Sequence, residues 1–212
     1  MTDGIVNGWI SHAKEKVQRE KGTTSGLKTS SKRHTPIAAF IAAADFAIDP
    51  HQLTGTNPGT FYVIRNSGGL VPPGGGDGMD LSIGASLEFA VQAYGVKHII
   101  VVTSPHCGLL NCLLNEDADG ISAIVSGQHL PSWTQLTAAA INRVANKKIP
   151  KEDRIRIFSQ ELIRISFENL MTYPWILDGI FSGSIALHGW YCDEIDGVFS
   201  CFDPGTDEFH SD

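Results

Sequence analysis

The fold class of this chain is decided by the stretch Pro36-Ile37-Ala38-Ala39-Phe40-Ile41-Ala42. A short apolar run of this kind, introduced by a proline, is typical of a parallel strand that is covered on both faces. Residues 60–65 and 98–103 are rich in β-branched or aromatic side chains and predict two further strands. Between them, residues 80–94 have the apolar spacing of a helix, which Gly95 is expected to end. Strands that alternate with helices predict an α/β fold with a mostly parallel sheet flanked by helices.

The second half of the chain is predicted to be mainly helical. Helices are expected over residues 107–115, 132–146 and 151–170, followed by a strand over residues 185–193. The glycine-rich residues 72–78 lack the lysine and the spacing of a phosphate-binding loop, so they predict a flexible connection instead.

The N-terminal segment is expected to form an arm outside the core. Residues 3–20 have an amphipathic helical pattern, and residues 22–31 are a polar connection rich in Ser, Thr and Gly. A chain of 212 residues with 42% apolar content is long enough for one substantial core. We therefore expect a single domain over residues 1–212, with the arm at 1–34 and the core at 35–212.

Composition excludes several classes of partner. The formal charge of −7 and the isoelectric point near 5.5 provide no broad basic surface for nucleic acid. No apolar run reaches the roughly 18 residues of a membrane span. The N-terminus has no pattern of a secretory signal, so a cytoplasmic location is expected. Reduced thiols fit that expectation, because a chain of this length does not need disulfides to fold; the cysteines are Cys107, Cys112, Cys192 and Cys201.

Two loops carry the residues that bear on function. The first, after the first predicted strand, reads Ala43-Ala44-Asp45-Phe46-Ala47. The second, after the strand at 98–103, reads Ser104-Pro105-His106-Cys107-Gly108. Both follow the carboxyl ends of predicted parallel strands, where α/β proteins place their functional loops. We therefore expect the two loops to share one pocket.

These loops resemble the two active-site motifs of the β-class carbonic anhydrases, C-x-D-x-R and H-x-x-C-G. The resemblance extends over residues 36–203: residues 61–69 are similar to the family's strand and R-N-x-G turn, and residues 185–193 to its L-x-G-W-x-Y-D strand. It implies the family's α/β fold and a homodimer or higher homo-oligomer, with the N-terminal helix against the neighbouring subunit.

The resemblance also implies that most of the family's zinc site is missing. The family holds zinc with two cysteines and a histidine, and those positions here are Ala43, Cys107 and Ser104. Ala47 stands where the family has the arginine that pairs with the aspartate, here Asp45. A catalytic zinc site needs about three protein ligands and an open position. We therefore expect no metal cofactor, with zinc as the alternative; the remaining ligand candidates are Cys107, Asp45 and His106.

Three functions stay open from the sequence. A metal-independent reaction would use Cys107 as nucleophile, with His106 or Asp45 handling protons; in a pseudoenzyme the same thiol is inert. A carbonic anhydrase with an altered ligand set is the second alternative. A non-catalytic binding or scaffold protein is the third. Its pocket would take a small anion or organic ligand, and its expected members are Arg65, Asn66, Gly68, Ala43, Ala47 and Ser104.

Overall fold

A computed structural model describes residues 35–75, 81–115, 126–145 and 149–211 of the chain. The N-terminal helix and the polar connection predicted for residues 3–20 and 22–31 lie outside these ranges. No helix in the described ranges is long and apolar enough to cross a membrane.

The described core is built on one mixed sheet with the strand order β2-β1-β3-β4-β5-β6. The strands are β1 Ala38–Ala43, β2 Phe61–Asn66, β3 His98–Thr103, β4 Ala186–Asp193, β5 Val198–Asp203 and β6 Glu208–His210. The first four positions of the sheet are parallel, whereas β5 and β6 are antiparallel additions at one edge. The predicted α/β fold with a mostly parallel sheet is therefore confirmed.

Helices cover both faces of the sheet. They are α1 Pro50–Thr54, α2 Leu81–Glu88, α3 Gly108–Asn115, α4 Leu130–Thr134, α5 Ala138–Ala145, α6 Arg154–Leu170 and α7 Pro174–Phe181. Successive residues of β1 alternate between two apolar cores, since Ala39 and Ile41 belong to one cluster and Phe40 and Ala42 to the other. This double burial explains why β1 is an uninterrupted apolar run.

Two predicted helices are broken in the structure. The helix predicted for residues 80–94 ends at Glu88 and continues as a π-helical turn, Phe89–Ala93. The helix predicted for residues 132–146 is divided into α4 and α5 by a tight 3₁₀ turn, Gln135–Thr137. The hydroxyl of Thr137 donates to the carbonyl of Thr134 (2.7 Å), and such local bonds by threonine compete with regular helix geometry.

Strand order brings the two motif loops to the same edge of the sheet. β1 and β3 are direct parallel neighbours, with Phe40 opposite Ile100 and Ile41 opposite Val101. β4 lies on the other side of β3, and its last residue, Asp193, is followed by the turn into β5. The loops after β1, β3 and β4 therefore meet at the carboxyl end of the parallel strands.

Candidate functional site

Asp45 joins the first motif loop to the second. Its Oδ2 accepts a hydrogen bond from the backbone N–H of Gly108 (2.7 Å), the first residue of α3. The first N–H groups of a helix have no partner within the helix, so an acceptor at this place stabilises its start. This contact shows that the two loops meet, as the predicted shared pocket requires. Asp45 itself is exposed to solvent.

Cys107 lies under this contact and is only 2% exposed. Burial raises the pKa of its thiol to about 11, and the negative charge of Asp45 acts in the same direction. The backbone N–H groups of Leu110 and Leu109 oppose that rise without cancelling it. In the metal-free protein the group is therefore a protonated thiol at neutral pH, whereas nucleophilic attack requires the thiolate.

Ser104 begins the second motif loop and is hydrogen-bonded to a carboxylate. Its Oγ donates to Oε2 of Glu194 (2.7 Å) and accepts from the backbone N–H of His106 (3.0 Å). The serine is 2% exposed, so both bonds are sheltered from water. Glu194 was not among the residues predicted from the sequence, because its contact with Ser104 depends on β4 lying beside β3.

His106 contacts the carboxylate of Asp193, the residue before Glu194. Its Nε2 lies 2.9 Å from Oδ1 of Asp193, which also accepts from the backbone N–H groups of Asp196 (3.0 Å) and Ile195 (3.2 Å). Burial acts to raise the pKa of Asp193, but these hydrogen bonds outweigh it and hold the pKa below the usual value. We call Asp193 and Glu194 the acidic turn. It binds both polar side chains of the second motif loop.

Arg65 supports the first motif loop from β2. Its Nη1 donates to the carbonyls of Ala43 (2.9 Å) and Phe46 (3.1 Å), and its Nη2 donates to the carbonyl of Ile48 (3.1 Å). The guanidinium also lies 5.5 Å from the centre of the Phe46 ring. Burial lowers its pKa, while Asp49 raises it. The cation is thus directed at protein carbonyls rather than at an open anion site.

Asn66 and the glycines after it close the turn that follows β2. Asn66 Nδ2 donates to the carbonyl of Leu70 and its Oδ1 accepts from the Leu70 N–H, both at 2.9 Å. Gly68 and Gly69 have φ angles of +84° and +64°, which favour glycine. A Cβ at Gly69 would lie 2.8 Å from the backbone nitrogen of Ala43. The turn is therefore packed directly against the first motif loop.

Ala43 and Ala47 are the remaining candidate residues of the first motif loop. Ala43 is buried and has only a methyl group, while Ala47 is exposed. Among the described residues, no group of three or more His, Cys, Asp or Glu side chains is arranged to hold a metal ion. Asp45 and Cys107 are brought together, whereas the ring of His106 is engaged with Asp193.

A cleft of about 710 Å³ opens beside the site, at the end of β2. Arg65 and Asn66 line it at one side, and Gln128, His129 and Ser132 contribute polar groups at the other. Trp133 lines the cleft as well, and its Nε1 donates to the carbonyl of Ser67 (2.8 Å). Gly74, in the connection between β2 and α2, donates its N–H to Thr172 Oγ1 (2.7 Å).

Comparisons with known proteins agree on one family. The family model described as carbonic anhydrase matches residues 38–199. The carbonic anhydrase of Synechococcus elongatus is 32% identical over 165 residues, and that of Pseudomonas aeruginosa is 29% identical over 191 residues. The matches cover 76% and 87% of this chain, and 57% and 81% of the respective relatives. The chain thus spans less than two thirds of the cyanobacterial relative.

Solved structures give the same result for the fold. The β-carbonic anhydrase CcaA superposes with a TM-score of 0.78 at 27% identity, covering 100% of this chain and 92% of that one. A structure of tetrameric β-carbonic anhydrases from Sordaria macrospora matches with a TM-score of 0.70 at 20% identity, covering 94% and 96% of the two chains.

Proposed function

The chain belongs to the carbonic anhydrase family, β class, and from that premise we propose that it is a metal-independent pseudoenzyme that does not hydrate carbon dioxide at the inherited site. The hydrogen bond of 2.7 Å between Ser104 Oγ and Glu194 carries this proposal, because it puts a hydroxyl–carboxylate pair where the family has a metal-binding histidine.

The chemistry of the remaining donors does not fit zinc. Ala43 provides no lone pair, and the hydroxyl of Ser104 is a weak zinc ligand. A cysteine binds a metal through its thiolate, and Cys107 together with Asp45 provides two donors where a catalytic zinc site needs about three. Asp45, the other inherited acid, is engaged with the N–H of Gly108. An altered ligand set of Cys107, Asp45 and His106 is disfavoured further, because the imidazole of His106 is engaged by Asp193.

In this proposal the inherited site has a structural role, which is to hold neighbouring loops together. Asp45 connects the loop after β1 to the start of α3, and Ser104 and His106 connect the loop after β3 to the acidic turn. Three loops that a catalytic site would leave accessible to substrate are thus held by hydrogen bonds between protein groups. The thiol of Cys107 beneath them is neutral, which disfavours a role for Cys107 as a nucleophile because the thiolate is the reactive form.

Small-molecule binding is the second candidate function, and the cleft of about 710 Å³ favours it. Its volume is within the range of known ligand sites, roughly 300–1,000 Å³. An anion held by Arg65 would compete with the three carbonyls that the guanidinium already binds. A neutral polar ligand is therefore the better match, with hydrogen bonds from Gln128, His129 and Ser132.

We also propose that the chain forms a homodimer or a higher homo-oligomer. β2 is an edge strand of the described sheet, and its Val63 side chain is 41% exposed. Phe89, whose ring centre lies 6.3 Å from that of Tyr62 on β2, is 50% exposed. Exposed apolar surface next to a strand edge is typical of a surface covered by another chain. Sedimentation velocity measures the assembly, and a monomer at high concentration would contradict this part.

The pseudoenzyme proposal is tested by rebuilding the family's residues. The triple variant Ala43→Cys, Ala47→Arg, Ser104→His restores the family's zinc ligands beside Cys107 and the arginine that pairs with Asp45. We expect the parent protein to hydrate carbon dioxide no faster than buffer, and the triple variant to bind zinc at this site. The matched control adds Cys107→Ala to the triple variant and should lose that zinc. Rapid hydration by the parent, abolished by Cys107→Ala, would refute the proposal.

A further inference from the structure

Two histidines meet at the end of the sheet opposite the motif loops. His98 begins β3 and His188 lies on the neighbouring strand β4. His98 Nδ1 and His188 Nε2 are 3.1 Å apart, and the centres of the two rings are 5.2 Å apart. Ser104 is six positions after His98 and four positions after Ile100, which pairs with His188, so the two histidines lie roughly 20 Å and 13 Å from the inherited site at a rise of about 3.3 Å per residue. No step of the proposed function uses this pair.

The spacing of the two nitrogens is that of two ligands on one metal ion. With metal–nitrogen bonds of about 2.0–2.1 Å, two imidazoles at right-angled to tetrahedral positions place their nitrogens roughly 2.9–3.4 Å apart. The observed separation of 3.1 Å lies inside this range. We propose that His98 and His188 form a two-histidine binding site for a divalent transition-metal ion.

Both rings can present a lone pair to the ion. In the absence of metal, one ring donates the N–H that joins the pair, and each neutral imidazole carries its proton on either nitrogen. A change of tautomer moves this proton to the outer nitrogen, so binding to two neutral rings releases no proton.

The surroundings decide which ions can bind. Imidazole ligands favour copper, zinc and nickel, whereas magnesium and calcium prefer oxygen ligands. His98 is exposed, so the ion can enter from solvent and water can complete its coordination. Since no cluster of three ligand side chains occurs in the part of the chain that the structure describes, the protein supplies two ligands and the site is open.

The proposal predicts an order of affinities among metal ions and a loss of affinity when either histidine is replaced. Calorimetric titration of the full chain should show Cu²⁺ binding more tightly than Ni²⁺ or Zn²⁺, in the Irving–Williams order, with no binding of Mg²⁺. Loss of an outer-shell contact alone weakens metal sites about 10–100-fold, so removing one of two direct ligands should weaken binding by at least about 10-fold. The variants are His98→Asn, at an exposed position, and His188→Gln.

Two controls separate this site from others. His210→Asn removes another exposed histidine and should leave the affinity unchanged. Cys107→Ala should also leave it unchanged, so the result does not depend on the inherited site. The proposal is overturned if the parent binds none of the three ions, or if His98→Asn binds them as tightly as the parent. Binding that is lost only with Cys107→Ala would instead contradict the proposed function.

Discussion

Replacing Asp45 by alanine should have two separable effects, one on stability and one on the thiol beneath it. The substitution removes the acceptor of the Gly108 N–H at 2.7 Å, at the first turn of α3. Loss of a side-chain acceptor at a helix start costs about 0.5–2 kcal/mol, typically about 1. For a chain of this size, about 1 kcal/mol lowers the melting temperature by roughly 2–4 °C.

The second effect is on Cys107. Asp45 raises the pKa of this thiol through its charge and through a hydrogen bond between the two side chains. Without the carboxylate, the pKa should fall from about 11 toward its ordinary value, although burial continues to hold it up. At a fixed alkaline pH a larger fraction of thiolate is then present, and Cys107 should be alkylated faster.

Asp49→Ala is the matched control, because Asp49 performs the same local role elsewhere. Its Oδ1 accepts from the N–H groups of His51 (2.8 Å) and Gln52 (3.3 Å) at the start of α1. It does not contribute to the pKa of Cys107. The control should therefore lower the melting temperature by a similar amount and leave the alkylation of Cys107 unchanged.

The assay combines thermal unfolding by circular dichroism with mass-spectrometric alkylation rates for each cysteine. Unchanged melting of Asp45→Ala would show that the bond to Gly108 does not stabilise α3. Equal acceleration of Cys107 in both variants would show that general loosening, rather than the Asp45 charge, controls the thiol. Either outcome refutes the interpretation of Asp45 as a joint between the two motif loops.

Two further predictions concern the native thiols and the turn after β2. In the parent protein Cys107 and Cys192 are buried, whereas Cys112 and Cys201 are partly exposed, so near neutral pH the first two should be alkylated more slowly. Burial raises the pKa of Cys107 and Cys192 to about 11, so their rates should rise as the pH approaches 11. Equal rates for the four thiols would contradict this. Gly69→Ala should destabilise the protein more than Gly55→Ala, as measured by urea unfolding. Both glycines have positive φ, which costs about 1–2 kcal/mol for alanine, but only at Gly69 would the added Cβ meet the Ala43 backbone, at 2.8 Å. Similar losses at the two positions would contradict the close approach.

Much of the fold follows from the local pattern of the sequence. The strand predicted for residues 98–103 has the same bounds in the structure, and β1 and β2 begin and end one residue later than predicted. Because the parallel strands β1 and β3 are neighbours, their carboxyl-end loops had to meet, as the contact of Asp45 with Gly108 confirms. Burial on both faces makes such strands recognisable from composition alone.

The partners within the site could not be predicted in the same way. Glu194 binds Ser104 across 90 residues of sequence, and Asp193 binds His106 across 87. These contacts depend on the position of β4 beside β3 and on side-chain directions that no local pattern encodes. The interruption of a predicted helix by the 3₁₀ turn at Gln135–Thr137 was missed for a different, local reason: the Thr137 hydroxyl bonds within its own turn, which the spacing of apolar residues does not reveal.

The contacts of Arg65 could not be predicted from the sequence either. An arginine next to a predicted pocket suggests an anion site, yet three loop carbonyls occupy its donors here. The direction of its guanidinium is set by the path of the chain from Ala43 to Ile48, which the sequence does not reveal.

The central claim, that the inherited site does not hold zinc, is tested most directly by zinc stoichiometry in the His98→Asn variant. That background removes the proposed two-histidine site, so any remaining zinc reports on other positions. After equilibration with free zinc and removal of the excess, we predict well below one zinc per chain, with no change when Cys107→Ala is added. Close to one zinc per chain, lost on adding Cys107→Ala, would contradict the account.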